Sequence, residues 1–201
     1  MKRNKPKYKQ IIDAAVIVIA ENGYHQAQVS KIAKQAGVAD GTIYLYFKNK
    51  EDILISLFKE KMSLFVDKIE EVIVGKQTVS EKLLVMIENH CKILSDDHHL
   101  AIVTQLELRQ SNKEIRLKIN DVLKGYLKLI DTILVSGVES GEFSADLDVR
   151  LARQMIFGTL DEMVTTWVMN EQKYDLTAQV PTIHKLLLQG CGGRNTISLG
   201  G

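Results

Sequence analysis

Residues 1–50 carry nine Lys and Arg (Lys2, Arg3, Lys5, Lys7, Lys9, Lys31, Lys34, Lys48, Lys50) against three acids (Asp13, Glu21, Asp40), a balance of +6. The whole chain has 26 Lys and Arg against 25 Asp and Glu, so positions 51–201 hold 17 bases and 22 acids. Cations gathered at one end of an otherwise slightly acidic chain suit a polyanion that meets that end alone. Side chains of other chemistries are not spaced for catalysis. The histidines are His25, His90, His98, His99 and His184; none forms a ligand pair such as HExxH, and neither a serine elbow nor a P-loop appears. An enzyme is therefore not expected. A metal sensor on His90, Cys91 and His98 is the one metal reading left open. Cys91 and Cys191 lie far apart with no CxxC, which argues against a disulfide framework or zinc site and for a reducing, cytoplasmic setting.

The basic end contains the stretch VSKIAKQAGVADGTIYLYFKNK, Val29 to Lys50, with the pattern of a helix-turn-helix. Val29, Ile32, Ala33 and Ala36 make one short helical stripe; Ile43, Tyr46 and Phe47 make a second, with Thr42, Tyr44 and Leu45 between them. Ala33 is small enough for the second helix to cross closely over the first. Gly37 can take a positive φ, ending the first helix and starting a tight turn. Val38 and Ile43 face back to the shared core. A helix-turn-helix used on DNA would lay its second helix, about Asp40 to Phe47, in the major groove. Ala39, at the position that should cap that helix, forgoes a cap worth roughly 1 kcal/mol; Asp40 offsets part of this through the helix dipole.

With 201 residues, 45% hydrophobic and 25% charged, and with two prolines, the chain suits an all-α fold with a sizeable core. No apolar run is long enough to cross a bilayer, so no membrane association is expected, and no signal peptide is evident. Apolar periodicity predicts nine helices: 7–22, ended by Gly23; the two of the motif; 49–74 with Asn49 as N-cap; 80–94 capped by Ser80; 100–110; 113–140, ended by Gly141; 148–170; and 178–188. The division expected is a DNA-binding domain over 1–48, a ligand-binding and dimerisation domain over 49–189, and a glycine-rich disordered tail over 190–201. The 148–170 helix is apolar on several sides and must bury more than one of them. Paired with 178–188 it suits a homodimer's four-helix interface; the other reading is a central core helix of a monomer.

GTIYLYFKNKEDIL, preceded by VSKIAKQAGVAD, resembles the DNA-binding signature of TetR-type transcriptional repressors, and the nine-helix count fits that fold along nearly the whole chain. TQLELRQSN, LARQMIFGTLDEMVTTWVMN and QKYDL resemble, within that family, the repressors of fatty-acid degradation in Gram-positive bacteria that long-chain acyl-CoA releases from DNA. The resemblance implies a palindromic double-stranded operator, a homodimer, an acyl-CoA effector and no cofactor.

By resemblance, Thr42, Tyr44 and Tyr46 occupy DNA-contacting positions, with Tyr46 shared between core and DNA. Lys48, Lys50, Lys31 and Lys34 are candidates for phosphates, and Val29 and Ser30 for the backbone or a base. In the body, the family's small-molecule pocket would be lined from Leu100, Ile102, Val103, Leu106, Leu108, Tyr126, Ile130, Met155, Phe157, Leu160, Met163 and Trp167. Arg109 is the first candidate for the CoA phosphates, with Arg116, Lys113 and Lys124 behind it. The effector is expected to change the angle at which the 49–74 helix leaves the body. The alternative is a repressor of a multidrug efflux system sensing cationic aromatic compounds, for which Glu107, Asp161 and Glu162 would supply buried acids.

Overall fold

The computed structural model describes residues 6–192, which form nine α-helices and no strand. They are α1 (Pro6–Gln26), α2 (Val29–Gln35), α3 (Asp40–Tyr44), α4 (Lys50–Ile73), α5 (Val79–Asp96), α6 (His98–Glu107), α7 (Lys113–Glu139), α8 (Val149–Met169) and α9 (Val180–Gly190). The basic arm over 1–5 and residues 193–201 of the expected tail lie outside the described residues.

The chain forms two compact units that do not follow chain order: Met1–Met62 with Asp97–Leu123, and Ser63–Asp96 with Lys124–Gly201. The domain boundary expected at 48/49 falls between the helix-turn-helix and α4. The compact units instead cut inside α4 and α7, and α6 belongs with the first three helices. In the first unit α1 packs on α2 and α6, and α2 on α3. Its core joins Ile11, Ile12 and Ile19 with Ile32, Ala33, Ile43 and Phe47 and with Ile53, Leu54, Leu57 and Phe58, all essentially inaccessible. In the second unit α5 packs on α8 and α9, which also pack on each other.

Helix ends follow local chemistry. Gly23, Gly37, Gly75 and Gly141 all have positive φ, with Gly37 at 62°. At the start of α4, Asn49 Oδ1 accepts the Asp52 N–H at 2.8 Å, and Asp52 Oδ2 accepts that of Lys48 at 3.0 Å.

Three expected ends are corrected. Ser80 does not cap α5. Thr78 Oγ1 accepts the Glu81 N–H at 3.1 Å, while Glu81 Oε2 accepts those of Gln77 and Thr78 at 2.9 and 3.0 Å, a reciprocal capping box. Ser80 is instead buried, and its carbonyl accepts from His184 Nε2 at 3.0 Å. The last helix starts at Val180 after a 3₁₀ turn over Thr177–Gln179 and runs to Gly190, past the expected 188. Pro181 sits in its first turn, where a missing N–H costs nothing. The tail does not begin at 190: Cys191 is buried, and its carbonyl accepts the Ser144 N–H at 3.2 Å.

Candidate functional site

Helix α3 is one turn shorter than expected, ending at Tyr44. Beyond it the N–H groups of Tyr46 and Phe47 both turn to the Ile43 carbonyl, each at 3.0 Å. This tightening drops Phe47 into the core at 2% exposure and leaves Tyr44 at 58%. Thr42 and Tyr46 are half-buried. Tyr46 lies 6.4 Å, ring to ring, from both Tyr8 and Phe47, so one part of it packs and the rest is accessible. Ala39 makes no side-chain cap, as its chemistry requires. Val29 is half-buried and Ser30 exposed at the start of α2, where N–H groups lack helical partners.

The lysines of this face differ. Lys48 is exposed. Lys31, also exposed, donates to Asn22 Oδ1 at 2.8 Å. Lys50, expected to hold a phosphate, directs its ammonium to the carbonyls of Tyr24 and His25, both at 2.9 Å, and sits 4.8 Å from the Tyr24 ring centroid. Both carbonyls lie past Gly23, whose non-helical φ of 71° and ψ of 154° break α1. Lys50 therefore ties the start of α4 to the segment leading into α2.

That same segment has a second tie. Glu107, at the end of α6, accepts the Tyr24 N–H at 2.8 Å through Oε1, and its Oε2 accepts from Gln110. Burial pushes the Tyr24 hydroxyl pKa up, and the carboxylates of Glu51 and Glu107 add to this. Glu107 is thus a structural acid of the first unit. Glu162 is exposed on α8 and borders the open groove that Met163 lines; Asp161 is the buried one of the three.

The effector candidates are divided between the units. In the first, Val103 is fully buried, Leu106 is 48% exposed, and Arg109 and Lys113 are exposed. Arg116, expected to face a phosphate, donates to the carbonyls of Gln110 and Ser111 at 2.8 and 3.1 Å, closing the α6–α7 connection. In the second unit Leu160 and Trp167 are buried, and Trp167 Nε1 donates to the Tyr174 carbonyl at 2.7 Å. Met163 lines an open groove of about 660 Å³ together with Met155, Gly158, Thr159 and Ile183. Tyr126 and Phe157 meet at 6.3 Å.

Around Tyr126 stands a cluster the periodicity did not single out. His90 Nδ1 lies 2.8 Å from Tyr126 Oη, and Phe65 sets its ring edge-on to both, at 5.2 and 5.4 Å. Burial lowers the His90 pKa to about 4 and raises that of Tyr126, so both are neutral near pH 7. The sequence offered His90 only as one ligand of a metal sensor with Cys91 and His98. Among the described residues no three His, Cys, Asp or Glu side chains gather to hold a metal ion.

A three-helix head with a short, exposed second motif helix, continued by a helical body, defines a class. The chain belongs to the tetR family of bacterial regulatory proteins: residues 11–57 match that family's N-terminal model, and 58–190 match the model described as YsiA-like protein, C-terminal region. A fatty acid metabolism regulator protein of Bacillus subtilis (strain 168) is 69% identical over 190 residues, 94% of this chain and 98% of that protein. The fatty acid degradation regulator FadR from Bacillus halodurans superposes with a TM-score of 0.89 at 68% identity, covering 91% of this chain and 98% of its own. The transcriptional regulator FadR from Bacillus subtilis, in complex with stearoyl-CoA, does so with 0.89 at 69% identity and the same coverage.

Proposed function

We propose that this chain is a cytoplasmic DNA-binding repressor of fatty-acid degradation genes, not an enzyme, and that long-chain acyl-CoA releases it from its operator. One observation carries this reading: 69% identity, along 94% of the chain, to a fatty acid metabolism regulator. The likeness to FadR bound to stearoyl-CoA supports the effector.

In this reading α3 enters the major groove. Tyr44 and Thr42 face base edges, and the open part of Tyr46 reaches sugar or base. Lys48, Lys31, Ser30 and Val29 border the phosphates, where cations and N–H groups fix the register. Lys50 acts at one remove by holding the segment before α2. Two such heads on a palindrome, about 34–36 Å apart or a multiple of that, require a homodimer. Its interface is proposed on α8 and α9, which expose Leu151, Met169 and Leu186 at 60, 65 and 58%.

Release requires that acyl-CoA bind the form that does not fit DNA better than the form that does; equal binding would shift nothing. The test is a gel shift on promoters of fatty-acid oxidation genes with acyl-CoAs of graded length, free fatty acid and CoA alone. Release by long-chain acyl-CoA alone is the expected result. Retention of DNA in its presence overturns the assignment.

A further inference from the structure

In the second unit, α5 brings His90 against Tyr126 of α7 with Phe65 of α4 edge-on to both rings. His90 is 6% exposed, and its Nε2 is buried with no hydrogen-bond partner among the described residues. Two proton arrangements fit the 2.8 Å contact between His90 Nδ1 and Tyr126 Oη. If Nδ1–H donated, the phenol proton and the Nε2 lone pair would both be left unsatisfied. If the phenol donates to Nδ1, one group is left over, an Nε2–H donor. Each buried unsatisfied group costs about 1–3 kcal/mol, so the second arrangement prevails. A neutral N–H donor without an acceptor, on a ring flanked by Phe65 and Tyr126, is a group waiting for a partner.

The partner must bring an oxygen acceptor without charge, attached to apolar chain. A carboxylate or phosphate would lose its hydration among aromatic rings and meet a neutral imidazole. An acyl thioester carries such an oxygen, its carbonyl, at the junction between chain and carrier. We infer that His90, oriented by Tyr126, donates a hydrogen bond from Nε2 to the thioester carbonyl of the acyl effector and so distinguishes an acyl thioester from other long-chain ligands. This rests on the acyl-CoA reading above and names the residue that recognises its functional group. Tyr126 is the positioning residue: by donating to Nδ1 it fixes the tautomer that leaves Nε2–H free.

The test compares stearoyl-CoA with S-octadecyl-CoA, a thioether with the same chain and CoA but no carbonyl. Calorimetric binding is measured on the full-length protein and on the His90→Leu, His90→Gln and Tyr126→Phe variants. Wild type should prefer the thioester by about tenfold or more, the worth of one good hydrogen bond in a dry site. His90→Leu should lose that preference, and Tyr126→Phe should weaken it. Equal binding of both ligands by wild type overturns the inference, as does an undiminished preference in His90→Leu. If His90→Leu does not fold, the wild-type comparison and His90→Gln decide, since the amide keeps a donor. If wild type binds neither ligand, the effector assignment itself falls.

Discussion

Glu107 Oε1 accepts the backbone N–H of Tyr24 at 2.8 Å across 83 residues of sequence, joining the end of α6 to the segment that follows Gly23. Tyr24 also carries Lys50 on its carbonyl, so one peptide segment is held from both sides. Glu107→Ala leaves the part-buried Tyr24 N–H unpaired. It should lower stability by about 1–3 kcal/mol and weaken operator binding. Urea unfolding and a fluorescence titration of DNA measure both; an unchanged unfolding midpoint would show that water replaces the carboxylate at no cost.

Lys48 and Lys50 should separate in a salt titration. Lys48→Ala removes an exposed cation and should reduce the slope of log affinity against log salt by about one. Lys50→Ala should weaken operator binding with little change in slope, because its ammonium is directed at two carbonyls. A slope reduced by one in the Lys50 variant would return it to the phosphate contacts.

Tyr44 is 58% exposed and supports nothing in the core. Tyr44→Ala should therefore cost about 1–3 kcal/mol of specific binding while leaving the melting temperature unchanged. Loss of stability in that variant would contradict this exposure.

His90 ties stability to pH. Its folded pKa, about 4, lies below the unfolded value of 6.5. Below pH 6.5 the unfolded chain takes up a proton that the folded chain refuses, so stability present above 6.5 is lost as pH falls toward 4. By pH 5 this amounts to roughly 2 kcal/mol. Urea unfolding at pH 7 and pH 5 should show this loss in wild type, and a smaller loss in His90→Leu. The difference between the two proteins isolates His90 from His184, whose pKa burial also lowers.

Leu186, 58% exposed on α9, lies on the face proposed for dimerisation. Leu186→Asp should shift the sedimentation coefficient toward that of a monomer and weaken operator binding. A variant that sediments as wild type moves the interface elsewhere.

The sequence by itself determined whatever depends on near neighbours. Periodicity placed nine helices, glycines stopped them, and the charge split marked the polyanion-binding end, because these signals lie within one or two helical turns. It misjudged ends where a neighbour competes: Thr78, two residues ahead of Ser80, takes the cap because Glu81 can reciprocate. Spacing could not assign Lys50, Arg116 or Glu107, since their partners are backbone groups that the fold alone brings near. His90 looked like one of three candidate metal ligands, with Cys91 and His98. Only packing against Tyr126, 36 residues away, and Phe65 removes it from water, holds it neutral and leaves one donor unpaired. Local sequence fixes elements by short-range propensity, whereas burial and long-range hydrogen bonding exist only once those elements have packed.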